Sequence, residues 1–141
     1  MIVKQVRDRI GFKEVKFEEL PNNRCEALVD LAWPEGDVFI GTAQGKDSES
    51  GRLKCTVEAT ARALEQSVND QIELEVQGVQ TITVSDTIII VVVLSYRLLG
   101  ETQQQLVGSC IIGRQLERSA ALAALKATNR LMGNVLFRRS A

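Results

Sequence analysis

Apolar and polar residues alternate along the first third of the chain, which is the pattern of strands with one buried face. The alternation predicts three strands, over Phe12–Leu20, Cys25–Trp33 and Val38–Ala43. Pro, Asn and Gly residues between these segments favour tight turns. A polar segment, Lys46–Gly51, follows the third strand and is expected to form a loop.

The spacing of apolar residues then changes from every second position to every third or fourth. This spacing predicts a helix over Thr56–Val68, because residues three and four apart lie on one helix face. The expected buried stripe consists of Val57, Ala61, Leu64 and Val68.

The second half of the chain repeats the order strand, strand, strand, helix. Its predicted strands are Ile72–Val76 with a continuation past Gly78 to Val84, Thr87–Leu98, and Leu106–Ile112. An alanine-rich helix is predicted over Glu117–Leu131, and Gly133 is expected to end it, as glycine often does after a helix.

The two halves align when they are laid over each other. Val29, Leu31 and Trp33 fall on Val92, Leu94 and Tyr96 at one constant offset, and Gly41–Ala43 falls on Gly108–Cys110. In the helices, Ala59, Ala61 and Ala63 are aligned with Ala121, Ala123 and Leu125. The offset changes only at loops, as in a duplicated fold. Chance agreement among small apolar residues is the alternative.

These patterns predict an α+β fold of one domain spanning residues 1–141, a tandem βββα repeat with pseudo-two-fold symmetry. The repeats cover about 10–69 and 70–133, and residues 134–141 are expected to be a flexible tail. We expect a mostly antiparallel sheet of six strands with both helices on one face.

The segment Ile88–Leu94 (IIIVVVL) does not alternate, so both faces of its strand are expected to be covered. The helices cover one face. We expect a second copy of the chain to cover the other, which predicts a homodimer, because an exposed β-prone face promotes aggregation. The alternative is that the chain's own strands fold over this strand as a sandwich.

Composition excludes several kinds of chemistry. The chain has no histidine, which excludes Ser-His-Asp and Cys-His nucleophilic sites and histidine-ligated zinc. The three cysteines, Cys25, Cys55 and Cys110, include no CxxC pair. We expect all three to be buried thiols that only fill space in the core. We expect a protein that is not an enzyme and holds no metal or cofactor. A thiol-dependent enzyme is the alternative, with Cys55 just before a predicted helix start that would stabilise its thiolate.

Charge gives little attraction to nucleic acid or to anionic membranes. Lys and Arg number 17 against 18 Asp and Glu, and aromatic residues are only 4% of the chain. RNA binding is a minor alternative, because the last helix is basic and follows three strands, as in the double-stranded-RNA-binding domain. Arg118–Ala121 lacks the paired lysines of that domain.

The N-terminal segment gives no sign of targeting. Met1–Arg9 carries mixed charge and no apolar core, unlike a signal peptide. The longest apolar run has seven residues, far fewer than a membrane span needs. We expect a cytoplasmic protein that does not contact membranes.

Three short motifs carry a resemblance to a known family. Ala123–Arg130 (AALKATNR) is similar to an AYLxALNR helix, Cys55–Ala59 (CTVEA) to a GPVDA helix start, and Gly108–Ser109 to a glycine-containing strand. Together with the repeat, they resemble the C-terminal regulatory domain of 2-isopropylmalate synthase and citramalate synthase over Phe12–Met132. The catalytic barrel of those enzymes, with its metal-binding histidines, has no counterpart here.

The resemblance implies a stand-alone regulatory module that dimerises and binds a feedback amino acid between subunits. The expected ligand is small and amphipathic, such as a branched-chain amino acid, and a separate synthase is the expected partner. The candidate lining residues are Ser50, Gly51, Thr56, Glu58, Gly108, Ser109 and Ser119. A purely structural or protein-binding module without a ligand is the alternative.

Overall fold

The computed structural model describes the backbone of residues 10–140 and the side chains of residues 10–132. The order of its elements, βββαβββα, confirms the predicted α+β fold built from tandem βββα units. The elements are β1 (Gly11–Leu20), β2 (Arg24–Ala32), β3 (Val38–Lys46), α1 (Glu49–Ser67), β4 (Ile72–Val84), β5 (Thr87–Leu98), β6 (Gln104–Ile111) and α2 (Leu116–Ser140).

The strands form two antiparallel sheets, β1–β2–β3 and β4–β5–β6, and the expected single sheet of six strands is wrong. The reason lies at the edge of β4. Arg62 of α1 donates a hydrogen bond to the Leu74 carbonyl oxygen, and the Leu74 N–H donates to the Glu65 carboxylate at 2.8 Å. The Leu74 N–H and carbonyl oxygen are thus bonded to side chains of α1. They are not available for the hydrogen bonds that would join β4 to a strand of the first sheet.

Each helix packs on the sheet of its own repeat and also contacts the first strand of the other repeat. α1 lies on β2 and β3 and contacts β4, whereas α2 lies on β5 and β6 and contacts β1. The helices also contact each other. This reciprocal exchange is the predicted pseudo-two-fold relation.

The core lies where the helices meet the inner faces of the two sheets. The inner side chains of the central strands are completely buried: Cys25, Ala27, Val29 and Leu31 on β2, and Ile90, Val92 and Leu94 on β5. Burying a Leu, Ile or Val side chain contributes about 1.5–3 kcal/mol. The alternation of apolar residues in the sequence thus correctly identified the inner face of β2.

The first helix begins at Glu49, so the predicted loop over Lys46–Gly51 is confirmed only for Asp47 and Ser48 and is wrong from Glu49 onward. The Ser48 hydroxyl accepts a hydrogen bond from the Gly51 N–H at 3.0 Å and caps the helix. The Arg52 side chain also pairs with Asp47 at 2.7 Å across this start. The polar composition of the segment therefore reflects a helix cap and an exposed first turn.

The second helix continues through Gly133 to Ser140, so the expected end at Gly133 is wrong. A glycine inside a helix costs only about 1 kcal/mol relative to alanine. The expected tail over 134–141 is helical in backbone as far as residue 140, and residue 141 lies outside the described residues.

A glycine in the third strand of each repeat lets the helix backbone lie directly on the strand. A Cβ atom on Gly41 would lie 1.9 Å from the Ala59 carbonyl oxygen and 2.5 Å from the Ala63 nitrogen. On Gly108 it would lie 2.0 Å from the Ala123 carbonyl oxygen. Any residue other than glycine would force the helix off the sheet at either position.

The same contacts test the alignment of the repeats. Gly41 pairs with Val29, and Gly108 pairs with Val92, so the predicted strand alignment is confirmed. In the helices, however, Ala59 and Ala63 correspond to Ala123 and Ala127. The predicted match of Ala59 to Ala121 is wrong by two positions, because alanines are so frequent in α2 that several alignments look alike.

The glycine contacts predict a large loss of stability on methyl insertion. Gly41→Ala and Gly108→Ala should each lower the free energy of unfolding by about 2–4 kcal/mol, because the added carbon meets helix backbone that cannot rotate away. Gly78→Ala is the matched control, since a Cβ there meets nothing within 4 Å. Urea denaturation measures all three. Equal stability of the Gly41 and Gly78 variants would contradict the close contact.

Candidate interaction surface

The outer face of the second sheet is apolar and uncovered by the described residues. Large side chains that point away from the helices lie on all three strands, and we call them the apolar face: Ile82, Val84, Ile89, Val91, Val93, Val107 and Ile111. Exposure reaches 65% for Val107 and 66% for Ile111. The members on β5 are half-buried by their neighbours across the strands.

The strand register arranges these side chains in rows. Ile89 on the central strand pairs with Ile82 on one side and with Ile111 on the other. Val93 pairs with Val107 in a parallel row. Between these rows, Val91 pairs with Gln80 and Ser109, so the branched side chains are continuous along β5 and reach the edge strands in the rows on either side.

The apolar face carries no charge. From Gly78 to Val84 on β4, Thr87 to Ser95 on β5 and Gln105 to Ile111 on β6, every outward position is uncharged. Charged outward side chains appear only beyond the bulge between Val76 and Gly78, where the Arg97 guanidinium pairs with Glu73 at 2.9 Å.

The equivalent face of the first sheet is charged. Its outward side chains include four acids and three cations: Glu14, Lys16, Glu18, Arg24, Glu26, Asp30 and Lys46. Water solvates such a surface without a partner. The two repeats therefore share their inner packing but differ in their outer faces.

Both faces of the strand that contains Ile88–Leu94 are expected to be covered, and the structure shows one of them covered. The inward side chains of β5 are covered by helix α2, as expected. The alternative, in which the chain's own strands cover the outer side as a sandwich, is wrong for the described residues, because the apolar face remains exposed.

A polar groove of about 900 Å³ lies between the free edges of β3 and β4, and we call it the β3–β4 groove. The exposed stripe of α1 forms its floor: Lys54, Glu58, Arg62 and Glu65. Its walls add Gln44 from β3, Glu73 and Glu75 from β4, and Arg97 from β5. The groove therefore holds cationic and anionic side chains side by side.

Glu65 is a partly buried acid of this floor, with 14% of its side chain exposed. Its carboxylate accepts the hydrogen bond from the Leu74 N–H at 2.8 Å and lies 3.4 Å from the Arg62 guanidinium. Burial nonetheless raises its pKa, although the Leu74 hydrogen bond and Arg62 act in the opposite direction. Glu65 and Arg62 together hold the second repeat against the helix of the first.

The structure does not gather the candidate ligand residues into one site. Of those in the first repeat, only Glu58 lines the β3–β4 groove. Ser50 is exposed in the first turn of α1, and Gly51 packs against the Lys46 carbonyl oxygen. The Thr56 side chain is completely buried and donates its hydroxyl to the Arg52 carbonyl oxygen at 2.8 Å.

The candidates of the second repeat lie in three places. Gly108 is covered by α2, and Ser109 is exposed on the outer side of β6, next to Val91 of the apolar face. Ser119 is buried, accepts a hydrogen bond from the Gly113 N–H at 3.0 Å, and lines a pocket of about 410 Å³ at the start of α2.

The alternative of a thiol-dependent enzyme placed Cys55 just before a helix start, and that placement is wrong. Cys55 lies in the second turn of α1, not before the helix, and is 1% exposed. Burial, with a smaller effect from the neighbouring Cys25 thiol, raises the pKa of Cys55 to about 11. A thiol with such a pKa is almost entirely protonated at neutral pH and is a poor nucleophile.

Sequence reasoning missed the full extent of the apolar face. The signal was present in β4 and β6, where Ile82 and Val84, like Val107 and Ile111, occupy positions of one parity. These residues became visible as one surface only through the register of three strands.

No family model matches the chain, and no curated protein matches it either. The resemblance to the regulatory domain of 2-isopropylmalate synthase therefore stays a prediction. Among the described residues, no helix is long and apolar enough to cross a membrane. The same residues contain no group of three or more acidic or cysteine side chains arranged to hold a metal ion.

The Glu65 contacts predict a difference between two substitutions. Glu65→Ala should lower the free energy of unfolding by about 1–3 kcal/mol, because the buried Leu74 N–H loses its acceptor. Glu65→Gln keeps an acceptor oxygen and removes the buried charge, so it should cost less than 1 kcal/mol at pH 7. Equal losses for both variants would contradict the assignment.

The pH dependence of the same pair provides a second measurement. A carboxyl whose pKa is raised on folding binds more protons in the folded chain, so its contribution to stability falls as pH rises through the folded-state pKa. The wild type should therefore lose stability relative to Glu65→Gln as pH rises above about 4.5. Urea midpoints measured from pH 4 to 8 test the sign.

Proposed function

We propose that this chain is a non-catalytic regulatory or binding module that self-associates through the apolar face. The observation that carries the proposal is a continuous, uncharged surface of branched side chains, with Val107 and Ile111 each about two-thirds exposed. Soluble proteins rarely leave such patches uncovered unless they bind something.

A second copy of the chain fits this surface. A sheet face without charges is self-complementary, since no like charges meet when it stacks on itself, and two sheets pack face to face about 10 Å apart. The outer face of the first sheet also exposes Val38 and Ile40, but charged side chains such as Asp30 and Glu26 interrupt its apolar area. A homodimer is also what the resemblance implies.

The proposal includes a small amphipathic ligand, such as a branched-chain amino acid, and regulation of a separate synthase in the cytoplasm. The resemblance is the main support. The β3–β4 groove adds to it, because Lys54 and Arg62 suit a carboxylate, and Glu58 and Glu73 suit an ammonium group. Glu58 is the one predicted lining residue in this groove.

A non-catalytic role is supported by the chemistry of the chain. It has no histidine to act as a base, and the raised pKa of Cys55 works against thiol catalysis. Nucleic acid is not part of the proposal, since the chain carries a net charge of −1.

Self-association predicts a specific response to a charge on the apolar face. The wild type should be a dimer at micromolar concentration, and Val107→Lys should weaken it at least 30-fold, because an unpaired ammonium would be buried in an apolar interface. Sedimentation equilibrium measures the dissociation constant.

Ile40→Lys is the matched control, because Ile40 is 47% exposed on the outer face of the first sheet. It should leave the dimer unchanged. A wild-type chain that is still monomeric at about 50–100 μM would refute the proposed interface. Equal weakening of the dimer by both variants would refute it as well.

Ligand binding predicts a rise in melting temperature. A ligand that binds only the folded chain stabilises it by about 2.7 kcal/mol at 100 times its Kd, which raises Tm by several degrees. Leucine, isoleucine and valine at millimolar concentration are the probes, with glycine as the control amino acid. Absence of any shift would favour the structural or protein-binding alternative.

A further inference from the structure

Two of the three cysteines meet in the core, although they are distant in sequence. Cys25 lies on β2 and Cys55 on α1, and they are 0% and 1% exposed. The Cys25 thiol donates a hydrogen bond to the Lys46 carbonyl oxygen at 3.7 Å. The third cysteine, Cys110, lies on β6 in the other repeat and is half-exposed.

A glycine makes room for this contact. Gly45 on β3 is the direct cross-strand partner of Cys25, so the two residues point to the same inner face. A Cβ atom on Gly45 would lie 2.5 Å from the Cys55 sulfur. The Cys55 side chain therefore occupies the place of a missing side chain beside Cys25, within the short reach of directly paired residues.

We propose that Cys25 and Cys55 are a redox-modifiable pair, which a low-molecular-weight disulfide converts to an intramolecular disulfide that joins β2 to α1. The inference is independent of the proposed function, since it uses neither the apolar face nor a ligand.

The reaction balances with one equivalent of the disulfide reagent. One cysteine, after losing its proton, attacks a reagent sulfur, which forms a mixed disulfide and releases one reagent thiolate. The second cysteine, also deprotonated, attacks the protein sulfur of the mixed disulfide and releases the second reagent thiolate. The two cysteines lose two electrons to the reagent, and the two protons end on the two released thiols.

Burial determines how the pair is reached. A reagent the size of glutathione cannot enter a site in which both sulfurs are covered, so the first step needs local separation of β2 from α1. Closing of the core then brings the second thiol to the mixed disulfide and expels the reagent. The pair is therefore modified slowly in the folded chain. It is modified more readily during folding, while the thiols are still accessible.

The oxidised bond should stabilise the fold. It closes a loop of about thirty residues, which restricts the unfolded chain and should raise Tm on the order of 10 °C. By reciprocal linkage, the folded structure must favour the disulfide over the dithiol to the same degree as the disulfide favours folding.

The test compares oxidation in the folded and unfolded chain. A Cys110→Ser chain is refolded from guanidinium chloride into buffers of reduced and oxidised glutathione. Both thiols are accessible at the start, so their burial does not limit the rate of oxidation. A parallel sample stays in guanidinium chloride in the same buffers. Acid quenching, alkylation and intact mass then give the ratio of disulfide to dithiol in each.

We expect a disulfide-to-dithiol ratio at least tenfold higher in the refolded sample, with a mass loss of two hydrogens and a peptide linking Cys25 to Cys55. Cys25→Ala and Cys55→Ala, each combined with Cys110→Ser, should show no such loss. An equal or lower ratio in the refolded sample, a stable glutathione adduct in place of the bond, or a lower Tm of the oxidised chain would overturn the proposal.

Discussion

The direct contact between helix backbone and strand glycine is the constraint on which this fold depends. Gly41 and Gly108 each pair with a completely buried valine of the central strand and lie beneath two alanines of a helix. Such close approach leaves no room for large side chains between helix and sheet, which explains the alanines. Each helix can then lie deep enough to reach the first strand of the other repeat, so the repeats hold each other by exchanging helix contacts.

Much of this arrangement could be predicted from the sequence, because the inner faces obey simple rules. Alternation identified the buried side of β2, and Gly41 and Gly108 aligned the strands of the two repeats correctly. The start of α1 could not be predicted from composition, since a polar segment around Ser48 is equally typical of a loop and of a helix cap. The separation of the sheets depends on Arg62 and Glu65 reaching the Leu74 backbone, a tertiary contact that no local pattern indicates.

The candidate site was harder to predict than the fold, and the reason is burial. Thr56 and Ser119 have hydroxyl groups that look suited to a ligand, but both are buried and spend their hydrogen bonds on nearby backbone. Gly108 serves packing. Both sheets and α2 cover most of the surface of α1. The side chains that still face solvent, such as Glu58 and Arg62, are therefore the ones available to a ligand.

The difference between the two outer faces limits how the chain can associate. A duplicated fold with two apolar faces would stack without end, since each added copy would present another free face. Here charged side chains such as Glu18 and Glu26 interrupt the face of the first sheet, and stacking two copies there would take those charges out of water. Of the two sheet faces that the structure describes, the second alone has a large area free of charge, and one such surface per chain would be used up if two copies met. The proposed association through the apolar face would therefore close at the dimer, because the divergence of the repeats leaves one large uncharged sheet face per chain.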